Sequence, residues 1–191
     1  MKKGKLILIA GLPGSGKSTL IRYVREHFPE IVFPVSWTTR PQRPGEVDGE
    51  VYHFVDTQTF LKAVEADEFL EWVSIDGGHL YGTLKSEVVP ALEAGKMVLR
   101  EVEMHGAQRL REALPQADIV TIFTNTDSWE DLSKRILSHG PMGAEELAER
   151  KKRYDREMLF KPEANYVLEN QFGKLEESEW KLGEIIQGLQ K

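Results

Sequence analysis

Residues 11–18 read GLPGSGKS, and the next residue is Thr19. The spacing fits G-x-x-x-x-G-K-[ST] in full. Gly11, Gly14 and Gly16 let successive main-chain N–H groups turn inward around a phosphate, with Pro13 and Ser15 between them. A helix that starts behind the loop adds the positive end of its dipole. Lys17 brings a mobile charge for the β- and γ-phosphates, and the Ser18 hydroxyl can ligate Mg2+. The flanks fit. KLILIA, residues 5–10, is apolar after its lysine and bounded by Gly11, which predicts a buried strand. TLIRYVREHF carries Leu20, Ile21, Val24 and Phe28 at helical spacing and is stopped by Pro29. Strand, glycine loop and helix together imply a nucleoside triphosphate site. They leave open what receives the phosphoryl group.

Moving outward, residues 34–83 change character. Short alternating stretches (EVYHFV, FLEWVSI) and turn residues surround one helical patch, DTQTFLKAVEADEF, which predicts a small, mostly antiparallel lobe. From residue 84 long elements return. SEVVPALEAG is a helix stopped by Gly95, with Pro90 requiring a first-turn place or a kink. KMVLREVEM is a strand, GAQRLREALP a helix and ADIVTIFT a strand, an alternation that implies a parallel sheet covered by helices. TDSWEDLSKRIL opens on an N-cap at Thr126 or Ser128. SHGPMG separates it from the charged helix AEELAERKKRYDREM. ANYVLEN is a last strand and EESEWKLGEIIQGLQ a closing helix. The fold class is α/β: a parallel sheet core with flanking helices (about 1–33, 84–125 and 160–191), an inserted lobe (about 34–83) and a helical lid (about 126–159), all in one domain.

Composition narrows the function classes. The chain has 191 residues, 40% hydrophobic and 29% charged, as expected of a globular protein. No apolar run is long enough to span a bilayer, and MKKGKLILIAG leads into the glycine loop rather than a small-residue cleavage site. The expected location is the cytoplasm, with no membrane partner. There are no cysteines, so disulfides, thiolate metal sites and cysteine nucleophiles are excluded. The five histidines are scattered without a zinc pattern. A net charge of −6 argues against nucleic acid as a partner, so any anion site must be local.

One such site stands out. Residues 36–55 read SWTTRPQRPGEVDGEVYHFV, gathering Arg40, Arg43 and Tyr52 around a Pro/Gly turn. A kinase whose acceptor is itself phosphorylated needs a second anion site, and arginine suits it by bidentate donation. A solvated loop with two surface arginines is the plainer reading of those residue types.

The string resembles the monophosphate-binding lobe of the guanylate kinase family, S-x-T-T-R-x-x-R-x-G-E-x-x-G-x-x-Y-x-F. FLEW, Tyr81-Gly82-Thr83, VLREVEMHGA and the helix bearing Arg150, Glu157 and Met158, followed by Tyr166 and Asn170, are similar to the family's later segments. The resemblance implies P-loop monophosphate kinase architecture, with ATP and GMP as ligands and Mg2+ as cofactor. It implies that Arg40, Arg43, Tyr52 and Tyr81 hold the acceptor phosphate. Glu71 would accept from the guanine N1 and N2 donors, with Ser36 and Thr83 near the base. Adenine lacks that pair of donors, so a buried carboxylate would discriminate against it. Glu101 and Glu103 stand where the family has aspartates, in the acceptor site at the carboxyl end of a strand. Arg135 would pack on adenine, Asn170 would join the ATP site, and Lys17, Arg43 and Arg150 would be catalytic.

Three departures bear on this. A lid arginine of the family pattern is His139 here, which implies slower turnover or a retuned acceptor, testable by His139→Arg. Lys151, Lys152 or Arg153 could compensate, although such a run is usually a solvated face. The cradle reads GLPGSGKST instead of G-P-S-G-x-G-K, which keeps every main-chain requirement. IDGGHLYGT is one residue longer than the usual spacing and has Leu80 at the first tyrosine position. The expected function is ATP:GMP phosphoryl transfer. The alternatives are a relative acting on another phosphorylated acceptor, such as ribose 1,5-bisphosphate, and a non-catalytic binding module.

Overall fold

The computed structural model describes residues 4–12, 14–75, 78–102, 104–126, 128–138, 140 and 142–191, the side chains of Ile75, Met104, His105 and Arg135 excepted. In chain order the elements are β1 (Lys5–Gly11), α1 (Lys17–His27), β2 (Ser36–Thr38), β3 (Tyr52–Phe54), α2 (Thr57–Glu65), β4 (Phe69–Ile75), β5 (His79–Leu84), α3 (Lys85–Glu93), β6 (Met97–Glu101), α4 (Met104–Ala113), β7 (Asp118–Asn125), α5 (Trp129–Ser138), α6 (Ala144–Met158), β8 (Tyr166–Glu169) and α7 (Leu175–Gln190). A 3-10 turn, Lys161–Glu163, precedes β8. The strands and helices expected from the sequence are present; β2, β5 and the 3-10 turn are additions. The chain divides into two compact units.

The first unit comprises Met1–Leu6, Glu30–Arg100 and His105–Ile119. It contains a four-stranded sheet of order β3-β2-β5-β4. β5 pairs antiparallel with both β2 and β4, whereas β2 and β3 run parallel. The Pro/Gly-rich segment between β2 and β3 is therefore a crossover and not a hairpin turn, since a hairpin joins antiparallel strands. The core beneath the sheet is Phe60, Ala63, Phe69 and Leu84, with Trp37, Val55, Val64 and Leu80 packed against it. Phe60 and Phe69 stack at 4.5 Å. Asp56 caps α2 by accepting from the Thr59 N–H at 2.7 Å, a contact that stabilises a helix by about 1 kcal/mol. Gly95 ends α3 with a positive φ, donating to the Leu92 carbonyl while Lys96 donates to Ala91; this is a Schellman stop. Pro90 sits beyond the first turn, inside α3, where its ring removes one helical hydrogen bond.

The second unit comprises Ile7–Pro29, Glu101–Met104 and Val120–Lys191. β1, β7 and β8 lie side by side in that order. β7 and β8 are parallel, in register from Ile122↔Tyr166 to Asn125↔Glu169. Ile7, Leu8, Ile9, Leu20, Val24, Ile122, Phe123, Leu182 and Ile186 are fully buried, as β1's continuous apolar run requires. At α5, Ser128 is the cap: its hydroxyl accepts from the Asp131 N–H at 3.1 Å. Trp129 of α5 meets Tyr154 of α6 edge-on at 5.5 Å. Among the described residues, no helix is long and apolar enough to cross a membrane.

Candidate active site

In the second unit β1 delivers the chain directly into the phosphate cradle. Gly11, Gly14 and Gly16 all have positive φ. Gly11 also has no room for a side chain, because a Cβ there would lie 2.1 Å from the Thr124 carbonyl oxygen. The cradle is thus shaped by the neighbouring strand as well as by its own torsions. Gly16 then serves as the N-cap of α1 without a side-chain cap, so the first N–H groups of that helix remain directed at the loop. Ser15 is buried and Ser18 exposed. The Thr19 N–H closes the first turn on the Gly16 carbonyl at 3.1 Å. Asn170, 3% exposed, donates from Nδ2 to the Ser15 carbonyl at 2.6 Å and from its main chain to Asn125 at 2.8 Å. It braces the cradle backbone from beneath.

Lys17 is folded onto the loop's own carbonyls, at 3.0 Å from both Gly11 and Leu12. Its Nζ stands 3.6 Å from Glu101 Oε1. Burial pushes its ammonium below the ordinary lysine value, and Arg153 adds to this, whereas Glu101 and Glu157 pull the other way. Glu157, on α6 and 6% exposed, is itself pushed up by burial against the fields of Arg153, Lys17 and Arg156. The basic run on α6 splits. Arg150 pairs with Glu146 at 3.2 Å, Lys152 with Glu149 at 2.6 Å, and Lys151 with Asp155. Those three lie on the helix's own charge ladder, whereas Arg153 is the one whose field reaches both Lys17 and Glu157. Pro13, Glu103, His139 and the Arg135 side chain lie outside the described residues.

In the first unit, strand register assembles the residues that the sequence singled out. Ser36 faces Tyr52, Thr38 faces Tyr81, and Glu71 faces Thr83. Tyr52 and Tyr81 meet edge-on at 5.8 Å. Arg40, 8% exposed, has its guanidinium 5.7 Å from the centre of the Tyr52 ring. It is held bidentately by Glu46, Nη1 to Oε2 at 2.9 Å and Nη2 to Oε1 at 2.7 Å, and also donates to the Pro41 carbonyl. The Arg43 N–H reaches the same carboxylate at 2.7 Å, while its side chain is exposed. The Arg40 guanidinium, followed by the Arg43 N–H, holds the Glu46 carboxyl down at about 2.

Glu71 is buried. Its Oε1 accepts from the Thr83 hydroxyl at 2.6 Å and from Arg100 Nη2 at 2.9 Å. The sequence reading assigned no role to Glu46 or Arg100. Glu46 stood in the quoted motif, and its sign opposite Arg40 was the available signal. Arg100 carried no local signal, because its partner is far away in sequence.

Comparison with known proteins supplies the family. A family model described as guanylate kinase matches residues 3–189. The chain belongs to the guanylate kinase family. It is 45% identical over 150 residues to a guanylate kinase of Nocardia farcinica, covering 78% of this chain and 77% of that one. To a guanylate kinase of Synechococcus sp. it is 39% identical over 168 residues, 88% of this chain and 76% of the relative. The crystal structure of guanylate kinase from Anaplasma phagocytophilum superimposes with a TM-score of 0.75 at 25% identity, covering 100% of this chain and 88% of that one. The family reaction is ATP-dependent phosphoryl transfer to a nucleoside monophosphate, and this chain is an enzyme of that type.

Proposed function

We propose that the chain transfers the γ-phosphoryl group of ATP to the phosphate of GMP, giving ADP and GDP. Within the family, the observation that carries the choice of GMP is Glu71: a buried carboxylate with one oxygen held by Thr83 and Arg100. Guanine offers two adjacent donors, N1–H and the 2-amino group, to such a group, and a base without them would leave it unpaired. Arg40, Arg43, Tyr52 and Tyr81 bind the acceptor phosphate, with Ser36 beside the base. Lys17 leaves the carbonyls of Gly11 and Leu12 for the β- and γ-phosphates. A GMP phosphate oxygen attacks the γ-phosphorus in line, and the bond to the β–γ bridging oxygen breaks as ADP leaves. The nucleophile is already an anion, so no strong base is needed, and positioning and charge neutralisation supply most of the rate. Arg150 would have to leave Glu146 to reach the transferring group, and Arg153 is the α6 cation whose field already reaches Lys17.

The donor set fits Mg2+. The Ser18 hydroxyl is exposed at the second residue of α1. Among the described residues no group of three or more His, Asp or Glu forms a metal cage. Mg2+ in such sites keeps most of its waters and takes substrate phosphates, so one protein oxygen suffices. When bound, the ion would be held by the Ser18 hydroxyl together with substrate phosphates and would supply charge neutralisation there.

An acceptor panel tests the reading: GMP, dGMP, AMP, CMP, UMP and ribose 1,5-bisphosphate, with ADP release as readout. GMP and dGMP are the expected substrates. Turnover of another acceptor with GMP inert overturns the proposal.

A further inference from the structure

We propose that Arg100 is a positioning residue for base recognition, fixing Glu71 through one carboxylate oxygen so that the other is reserved for the guanine edge. The inference rests on the reading of Glu71 as the guanine contact and extends it to a residue on another strand.

Both donors that reach Glu71 converge on the same atom. Thr83 Oγ1 lies 2.6 Å and Arg100 Nη2 2.9 Å from Oε1. Among the described residues, no donor reaches Oε2. The Glu71 and Arg100 side chains are 4% and 11% exposed, so this is a desolvated pair and not a surface ion pair. Thr83 comes from the strand paired with β4, where Glu71 and Thr83 are direct register partners. Arg100 comes from β6. Two anchors from two different strands fix both the position and the rotation of the carboxylate. Neutral Thr83 alone would leave a buried negative charge uncompensated, which is costly. Arginine meets that need because its guanidinium stays charged at any working pH.

The pairing has a second consequence. GMP carries its own negative phosphate. An uncompensated Glu71 would repel it, whereas the Arg100–Glu71 pair presents a net neutral site with one open acceptor oxygen. Recognition of a neutral base edge then proceeds without charge repulsion. Arg100 is followed directly by Glu101, the partner of Lys17.

The test compares Arg100→Met, Arg100→Lys, Glu71→Gln and the double variant Arg100→Met/Glu71→Gln, with KM and kcat measured for GMP, IMP and ATP. IMP keeps N1–H and lacks the 2-amino group. Arg100→Met is expected to raise KM for GMP by roughly tenfold to a hundredfold, the value of a charge-assisted hydrogen bond. The kcat at saturation and KM for ATP should stay within about threefold, and the preference for GMP over IMP should fall. Arg100→Lys should recover part of the loss. In the Glu71→Gln background, adding Arg100→Met should change KM for GMP by less than about threefold, because residues acting through one contact are not additive. The double variant carries no buried lone charge, so this comparison stands even where Arg100→Met alone does not fold. An equal loss from Arg100→Met in both backgrounds overturns the proposal, as does an unchanged GMP:IMP preference in the single variant. If Glu71→Gln itself leaves KM for GMP unchanged, the guanine reading of Glu71 fails. If Glu71→Gln weakens GMP and Arg100→Met does not, the role of Arg100 alone fails.

Discussion

On the proposed function, the phosphate cradle and the acceptor lobe bind the same kind of group, a phosphate, by opposite means. The cradle is made of main chain. Its shape comes from positive φ angles at Gly11, Gly14 and Gly16 and from the close pass of Gly11 along Thr124. Its charge is one lysine, which rests on main-chain carbonyls and a half-exposed Glu101. The lobe is made of side chains, and each buried charge already has a counterion: Glu46 for Arg40, Arg100 for Glu71. The difference lies in what ligand binding must rearrange. In the cradle, on the proposed function, a single long side chain moves from main-chain carbonyls to the incoming phosphates. In the lobe an incoming group must fit around ion pairs that are already formed.

The largest effect should come from breaking the cradle. Lys17→Met removes its mobile charge and leaves its main-chain donors in place. Turnover should fall by roughly 10²–10³-fold, as for loss of one preorganised charge at a developing anion, while GMP affinity measured by calorimetry holds within about threefold. A variant that keeps more than a tenth of wild-type kcat would mean that the main chain alone does the work.

Next is the acceptor lobe. Arg40→Met should raise KM for GMP by roughly tenfold to a hundredfold with little change in KM for ATP. It should also lower the melting temperature, because Glu46 loses its bidentate partner. Equal damage to both substrates would show that the two regions are not separable.

How far this contrast was legible in the sequence follows from its physics. Main-chain sites announce themselves, because only glycine meets the torsions and the spacing is local; residues 11–18 could be read without a structure. The expected alternation of strands and helices was legible for the same reason, from periodicity and stops such as Gly95. The parallel pairing of β2 with β3 was not, because a Pro/Gly-rich link looks the same whether it turns back or crosses over. Side-chain sites depend on register. Glu71 and Thr83 became visible through resemblance to a known lobe. Arg100 did not, since it is 29 positions from its partner and looks like any arginine in a strand. Pro90 shows the converse: a helix-breaking residue tolerated inside α3, a helix anchored by the buried Val88.

Acid should loosen the lobe before it disturbs the cradle. Glu46 titrates at about 2 in the folded protein because of Arg40 and the Arg43 N–H. The ordinary glutamate carboxyl value is 4.5. A depressed carboxyl contributes stability that is present above the unfolded value and lost as pH falls toward the folded one. Chemical denaturation followed by tryptophan fluorescence between pH 5 and about 2 should show this loss. Glu46→Gln should be less stable than wild type at pH 7 and should converge with it at the acid end. Parallel curves for the two proteins across that window would rule out the pair as a source of lobe stability.

The smallest effect belongs to Glu157, and its sign is opposite. Burial raises this carboxyl above its ordinary value even though Arg153, Lys17 and Arg156 all favour the charged form, so desolvation outweighs three attractions. A raised carboxyl contributes stability at low pH that disappears as pH rises through its folded value. At pH 8 the ionised group is therefore a burden, and Glu157→Gln should melt higher than wild type by roughly 2 °C, a small effect for a chain of this size. At pH 4 the advantage should vanish or reverse. If Glu157→Gln melts lower at pH 8, the fields of Lys17 and Arg153 outweigh burial, and the cradle, like the lobe, would depend on a buried counterion.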